Sequence, residues 1–102
     1  MVPARHRKPE LAQALRAGSE GLMIMYYTYV LESFENKKRY VGFSEDLTKR
    51  IAEHNSGKVD ATRRDRPWEV IYYEACMNKE KAVAREKYFK TGFGRRYLKE
   101  RL

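Results

Sequence analysis

Two strand-like segments separated by only five residues constrain the fold of this chain more than any other feature. MYYTYVLES (25–33) is rich in aromatic and β-branched residues, and RYVGFS (39–44) is a second short segment of this kind. FENKK (34–38) supplies the turn between them. We therefore predict a β-hairpin over residues 25–44.

The rest of the pattern adds one strand and three helical elements of the kind that cover a sheet. In chain order we predict a helix, a polar basic loop, a strand and two helices, over residues 44–57, 57–67, 68–76, 78–92 and 95–102. Ser44 or Asp46 would cap the first helix, Asn78 would cap the second, and Thr91 and Gly92 would end it. The order β-β-α-β-α-α predicts an α+β fold, a small three-stranded antiparallel sheet flanked by helices.

The first 24 residues differ in character from the rest of the chain. We expect residues 1–24 to form an N-terminal extension, flexible or partly helical, with a short helix over 9–18, and residues 25–102 to form the folded domain. An alternative is that the extension reflects a start codon assigned too early. The single cysteine, Cys76, excludes an intrachain disulfide, and no apolar run approaches membrane-spanning length. We expect a cytoplasmic protein without a membrane partner.

The net charge of +8 indicates a polyanionic partner, with nucleic acid the foremost candidate. Of this charge, +6 lies in residues 25–102, so it belongs to the predicted domain rather than to a tail. The basic residues that we expect to grip a nucleic-acid backbone lie in the 57–67 loop and near the C-terminus: Lys58, Arg63, Arg64, Arg66, Arg95, Arg96 and Lys99. A lysine-rich surface with no such role is the alternative for each of them.

Polar residues border the apolar face of the first predicted helix. Leu47, Ile51 and His54 fall within about 60° of one another on a helical wheel, and Arg50 lies next to His54. Arg50 and His54 are four residues apart and therefore stack on one side of the helix. They either flank the core with their stems buried or form part of a site.

A carboxylate falls inside the apolar stripe of the second predicted helix. Glu86 lies between Ala82, Val83 and Phe89 in angle. Burial of an unpaired carboxylate costs several kcal/mol. Glu86 should therefore have a salt bridge to a buried arginine, a raised pKa, or a metal ion.

Three residues of the predicted hairpin add to this pattern. Tyr29 and Tyr40 lie on its two strands, eleven residues apart, and Gly42 follows Tyr40 by two. A glycine within a strand often marks a bulge or a close backbone approach. Tyrosines in strands mostly pack in the core, so these residues alone indicate no function.

Taken together, these residues resemble the GIY-YIG endonuclease domain, which is named for two tripeptides on a β-hairpin. Residues 27–29 (Tyr-Thr-Tyr) and 40–42 (Tyr-Val-Gly) stand where the two tripeptides would lie. Arg50, His54 and Glu86 follow at the family's spacings. The resemblance covers residues 25 to about 98 and is strongest to small stand-alone bacterial members.

This resemblance implies a metal-dependent DNA endonuclease, with Tyr29, Tyr40, Arg50, His54 and Glu86 as catalytic residues. Glu86 would hold one Mg²⁺ or Mn²⁺ ion, and no small-molecule cofactor is implied. The expected substrates are nicked, branched or damaged DNA, cut during DNA repair or recombination. A protein partner or a homo-oligomer is also compatible with the sequence.

Two departures from the family pattern leave alternatives open. The first tripeptide keeps only its final tyrosine, and no asparagine follows Asn78, whereas many family members carry one after the glutamate. Thr91 or Lys90 would have to take over the phosphate contact of that asparagine. The alternative functions are a nucleic-acid-binding module of the same fold with weak or no catalysis, and a basic RNA- or ribosome-associated protein without a site.

Overall fold

The three predicted strands form one antiparallel sheet. The computed structural model describes residues 24–102. Strand β1 (Tyr26–Ser33) lies in the centre, between β2 (Arg39–Ser44) and β3 (Trp68–Cys76). Tyr29 pairs with Gly42 on β2 and with Tyr73 on β3. The predicted hairpin and the three-stranded antiparallel sheet are confirmed.

Three helices complete the α+β architecture. Helix α1 spans Leu47–Ser56, α2 spans Lys79–Phe89, α3 spans Gly92–Arg101, and a short 3₁₀ turn occupies Arg63–Asp65. The side chain of Asp46 caps α1 by accepting a hydrogen bond from the Lys49 amide, so Asp46 rather than Ser44 is the N-cap. Gly57 ends this helix in the left-handed conformation, with φ of 84°.

The predicted boundary between the last two helices is wrong. Thr91 and Gly92 do not end the preceding helix but begin the next one, because the Thr91 hydroxyl accepts a hydrogen bond from the Gly94 amide and caps α3. Helix α2 ends earlier, at Phe89, and α3 begins three residues before the predicted position 95. A threonine followed by glycine suits a helix start as well as a helix end, and here the capping hydrogen bond decides.

Alternate residues of β1 serve two separate cores. Tyr27, Tyr29 and Leu31 pack on one face of the sheet with Leu47 of α1 and with β3. On the opposite face lie Val30 and a second cluster that draws on α2 and α3, formed with Ile71, Tyr72, Phe89 and Leu98. Because successive side chains of a strand point to opposite faces, the central strand joins both halves of the domain.

An arginine ties α2 to the sheet. Nε and Nη2 of Arg85 donate to the two carboxylate oxygens of Glu74 on β3, at 3.0 and 2.7 Å. The Arg85 guanidinium also lies 4.5 Å from the centre of the Phe89 ring. A two-pronged ion pair of this kind fixes orientation as well as distance, so α2 is held at a defined angle to the sheet.

Two sequence predictions lie outside residues 24–102. The N-terminal extension over residues 1–24 falls almost entirely outside this range, and so does its short helix over residues 9–18. None of the helices within residues 24–102 is long and apolar enough to span a membrane.

Two glycines of α3 provide a test of the packing between α2 and α3. A Cβ on Gly94 would lie 2.0 Å from the Tyr88 carbonyl oxygen, whereas a Cβ on Gly92 would meet nothing within 4 Å. We expect Gly94→Ala to lower the free energy of unfolding by about 2 kcal/mol or more, because backbone must move. Gly92→Ala, the matched control, should be neutral or slightly stabilising. Urea unfolding measures both, and equal effects would contradict the packing described here.

Candidate active site

The ring of Tyr29 occupies the space left by the missing side chain of Gly42. The two residues are paired across β1 and β2, and a Cβ on Gly42 would lie 2.4 Å from both Cζ and the hydroxyl oxygen of Tyr29. Contacts that short do not occur in real structures, so the glycine is required for this placement of the ring. It allows the Tyr29 hydroxyl to reach α1, the helix that follows β2.

Tyr29 and His54 form a hydrogen-bonded pair beside Arg50. The Tyr29 hydroxyl lies 2.8 Å from Nε2 of His54, and the Arg50 guanidinium is close enough to the same phenol to act on its pKa. Arg50 is held from its other side by Glu53, at 3.1 Å between Nη1 and Oε1. Tyr29 and His54 are fully buried, whereas the Arg50 side chain remains about one-third exposed, 37%. Arg50 can therefore face solvent while it contacts the buried pair.

A residue that the sequence analysis missed fixes the tautomer of His54. Nδ1 of His54 lies 2.7 Å from the Thr62 hydroxyl, which donates its own proton to the Val59 carbonyl, at 3.4 Å. The Thr62 oxygen is thus the acceptor for the Nδ1 proton, and Nε2 is left to accept from Tyr29. Thr62 lies in an irregular loop, where no periodicity or charge marks it as part of a site.

The pKa values of Tyr29 and His54 keep the proton of their hydrogen bond on the tyrosine oxygen. Burial raises the pKa of the Tyr29 phenol to about 12, partly offset by the nearby Arg50 guanidinium. Burial and then the nearby Arg50 charge lower the pKa of His54 to about 4. At neutral pH the resting pair is therefore a protonated phenol and a neutral imidazole.

Tyr40 borders this buried chain and is less enclosed. Its ring centre lies 5.1 Å from that of His54, in an edge-on arrangement, and the residue is half-buried. The two hairpin tyrosines thus both contact the histidine, but with different access to solvent. Tyr29 lies inside the domain, whereas Tyr40 lies nearer its surface.

Glu86 reaches the vicinity of the site from the opposite side of the sheet. It is carried by α2, and its charge contributes to the raised pKa of Tyr29. Its side chain is 23% exposed and accepts a hydrogen bond from Nζ of Lys90, at 3.2 Å. A salt bridge to a buried arginine was one of the three possibilities for Glu86, and it is not found among the described residues. Glu86 pairs with Lys90 instead, and the arginine of α2 that binds a carboxylate is Arg85, which pairs with Glu74.

The predicted basic residues divide into two groups. Arg63 donates to the Gly57 carbonyl and pairs with Asp60, and Arg66 donates to the Arg63 carbonyl, so both help to hold the 57–67 loop together. The others are exposed, and the described part of the chain shows no side-chain hydrogen bond or ion pair for them: Lys58, Arg64, Arg95, Arg96 and Lys99.

The two residues considered in place of the family's asparagine also differ. The Thr91 hydroxyl donates to the Tyr88 carbonyl at 2.6 Å and caps α3, so its hydrogen-bonding capacity is used within the fold. Lys90 is bound only to Glu86 among the described residues, on the surface. Of the two, Lys90 is the side chain that is free to turn toward a ligand.

Comparisons with known proteins find a family model and several curated relatives that match this chain. A model of the GIY-YIG catalytic domain matches residues 25–99. UPF0213 proteins of Streptococcus pyogenes serotype M3 (strain ATCC BAA-595 / MGAS315), serotype M1 and serotype M12 (strain MGAS9429) are each 45% identical to this chain over 65 residues. The aligned region covers 63% of this chain and 70% of each relative. No solved structure matches.

Burial of neutral His54 makes the stability of the domain depend on pH. The pKa of about 4 lies below the ordinary 6.5, so the unfolded chain binds the proton more readily. The stabilisation is complete above pH 6.5 and is lost as the pH falls toward 4. We expect a loss of about 2 kcal/mol between pH 7.5 and 5, at about 1.4 kcal/mol per pKa unit.

Urea unfolding at a series of pH values measures this dependence, and the chain offers a matched control. His54→Gln should flatten the curve between pH 7.5 and 5. A variant with the other histidine replaced, His6→Gln, should keep it. Equal pH dependence in the two variants would exclude His54 as its source.

The role of Thr62 is testable without any assay of activity. Thr62→Val leaves the Nδ1 proton of His54 buried without an acceptor, which should cost about 1–3 kcal/mol or shift the proton to Nε2. Thr62→Ser keeps the hydroxyl and is the matched control. Imidazole ¹⁵N chemical shifts report the tautomer, and an unchanged tautomer with unchanged stability in Thr62→Val would contradict this role.

Proposed function

The chain belongs to the GIY-YIG family of nucleases, and from that premise we propose that it is a metal-dependent DNA endonuclease. The family makes it a phosphodiester hydrolase with DNA as substrate. The observation that carries the finer proposal is the hydrogen-bonded pair of Tyr29 and His54, with the charges of Arg50 and Glu86 close enough to affect the Tyr29 pKa. Together these groups offer a phosphate contact, a proton path and an acidic ligand.

Glu86 is the residue proposed to hold the metal ion. Within residues 24–102 no group of three or more histidine, cysteine or acidic side chains could bind a metal ion. The Glu53 carboxylate is paired with Arg50, so the proposed donor is the partly exposed carboxylate of Glu86. This fits Mg²⁺ or Mn²⁺, since Mg²⁺ in particular usually keeps several waters and uses one or two carboxylates plus substrate phosphate. When bound, such an ion would neutralise charge that develops on the phosphate and the leaving oxygen.

Arg50 is proposed to contact the scissile phosphate. Its guanidinium is partly exposed, and the ion pair with Glu53 holds it in place beside Tyr29. A planar guanidinium suits two-pronged contact with phosphate oxygens. In the same way Lys90, which pairs with Glu86, would turn to the phosphate when a substrate arrives.

Tyr29 and His54 are proposed to carry the proton of the attacking water. The water would pass a proton to the Tyr29 oxygen as the phenolic proton moves to Nε2 of His54. During this transfer Nδ1 would keep its own proton, which it donates to the Thr62 hydroxyl oxygen. The resulting imidazolium would later return its proton to the Tyr29 oxygen, which would pass the proton it took from the water to the leaving oxygen or to solvent. Tyr40, beside His54 and nearer the surface, would position the water. The resting pKa values oppose this transfer, so it would require an ion that makes the water more acidic and a phosphate that offsets the Arg50 charge beside His54.

The proposed substrates are nicked, branched or damaged duplexes, cut in DNA repair or recombination. Residues 24–102 form one sheet and three helices, and each helix supplies packing or site residues. Within this range no further element is left to read base edges, and phosphate contacts alone carry no sequence information. Structure-led cutting follows from this.

The proposal is tested by incubating the protein with nicked, flapped, branched and plain duplex DNA in Mg²⁺, Mn²⁺ or EDTA. Loss of a group that stabilises transition-state charge typically costs about 10²–10³-fold in rate. We expect losses of that order for Glu86→Gln and Arg50→Lys. The matched controls are Glu80→Gln and Lys49→Ala, which change exposed residues of the same two helices and should keep full activity.

Three outcomes would overturn this proposal. Cleavage that survives both Glu86→Gln and Arg50→Lys would place the reaction elsewhere. Activity that is unchanged in EDTA would exclude a metal ion from the mechanism. No cleavage under any condition, with DNA binding intact, would identify the chain as a binding module of the same fold.

A further inference from the structure

A basic groove with an apolar floor adjoins the candidate active site. It encloses about 680 Å³ between β2, α2 and α3. Its floor is formed by apolar side chains from both layers, of which Val41 is half-buried and Val30, Phe89 and Leu98 are buried. Five cationic side chains line it: Lys37, Arg39, Lys90, Arg95 and Lys99. Glu32 is the acidic residue among those that line it, and Arg39 lies 3.4 Å from that carboxylate.

The groove lies on the opposite face of the sheet from Tyr29 and His54, and two residues link it to the site. Tyr40 borders the groove from β2, while its ring packs against His54 on the other face. Lys90 lines the groove and also binds Glu86. A chain-like ligand that lies in the groove would therefore pass beside Glu86, the proposed metal ligand.

The combination of charge and apolar surface selects one kind of occupant. A duplex keeps its bases stacked inside and offers only its phosphates, so it gains nothing from an apolar floor. An unpaired strand offers both phosphates for the cations and base faces for apolar or aromatic surface. A volume of 680 Å³ lies within the range of cavities that enclose drug-sized ligands, about 300–1,000 Å³, which is roughly one or two nucleotides.

We propose that this groove binds the unpaired strand of a flapped or branched DNA and delivers its junction to the active site. This inference rests on the proposed nuclease function and names its substrate class, DNA with a single-stranded arm. It also divides the predicted basic residues, because Arg95 lines the groove whereas its neighbour Arg96 does not.

The test measures binding in EDTA, where the proposed cleavage does not occur, with full-length protein. The probes are a fluorescent oligo-dT of about 12 nucleotides, within the usual range of single-strand site sizes, the same strand with two central abasic sites, and a duplex of equal length. We expect the intact strand to bind at least about 5-fold more tightly than either other probe, because only it offers phosphates and unpaired bases together.

Paired variants separate the groove from general surface charge. Arg95→Ala with Lys99→Ala removes two groove cations, and Arg64→Ala with Arg96→Ala removes two exposed cations outside it. We expect the first pair to weaken single-strand binding about 10-fold or more and duplex binding no more than about 3-fold. The second pair should weaken both probes by similar factors.

Equal effects of the two variant pairs, or equal affinity for intact and abasic strands, would overturn the groove proposal. Failure of the nuclease proposal would be recognised separately. If the protein selects the single strand through Arg95 and Lys99 but cuts no DNA, the groove proposal is supported and the nuclease proposal is contradicted. If it cuts nicked duplex without this selectivity, the nuclease proposal is supported and the groove proposal is contradicted.

Discussion

The close approach of the Tyr29 ring to Gly42 is the constraint on which the rest of the site depends. Because β2 presents no side chain at this position, a phenol from the central strand can cross it and meet α1. His54 and Arg50 then converge on one hydroxyl, and Thr62 completes the chain from the following loop. The second tripeptide is thus explained physically, since its glycine provides the space into which the tyrosine of the first one projects.

Much of the fold followed from the sequence because its signals are local. Strand composition, the Asp46 and Asn78 caps and the turn over residues 34–38 each act over a few residues. Periodicity also placed Arg50, His54 and Glu86 on inward or bordering faces, and the structure brings the first two to Tyr29. The boundary at Thr91 was misplaced because threonine-glycine suits either end of a helix.

The features that the sequence did not predict depend on how separate elements pack against one another. Thr62 is chosen by the position of a histidine eight residues earlier and by a loop without periodicity. The pairing of Arg85 with Glu74, rather than of an arginine with Glu86, depends on how α2 is rotated over the sheet. Arg95 and Arg96 look equivalent in sequence. They differ in the structure because α3 places Arg95, and not Arg96, in the lining of the groove.

The hairpin register limits how related chains can vary in length. Tyr29 meets Gly42 only while the two strands stay aligned around the turn over residues 34–38. One residue inserted within either strand would move Gly42 away from its place opposite Tyr29, whereas residues added to the turn would leave the alignment of the strands intact. Evolutionary insertions and deletions should therefore accumulate at the turn and be purged from the two strands that flank it.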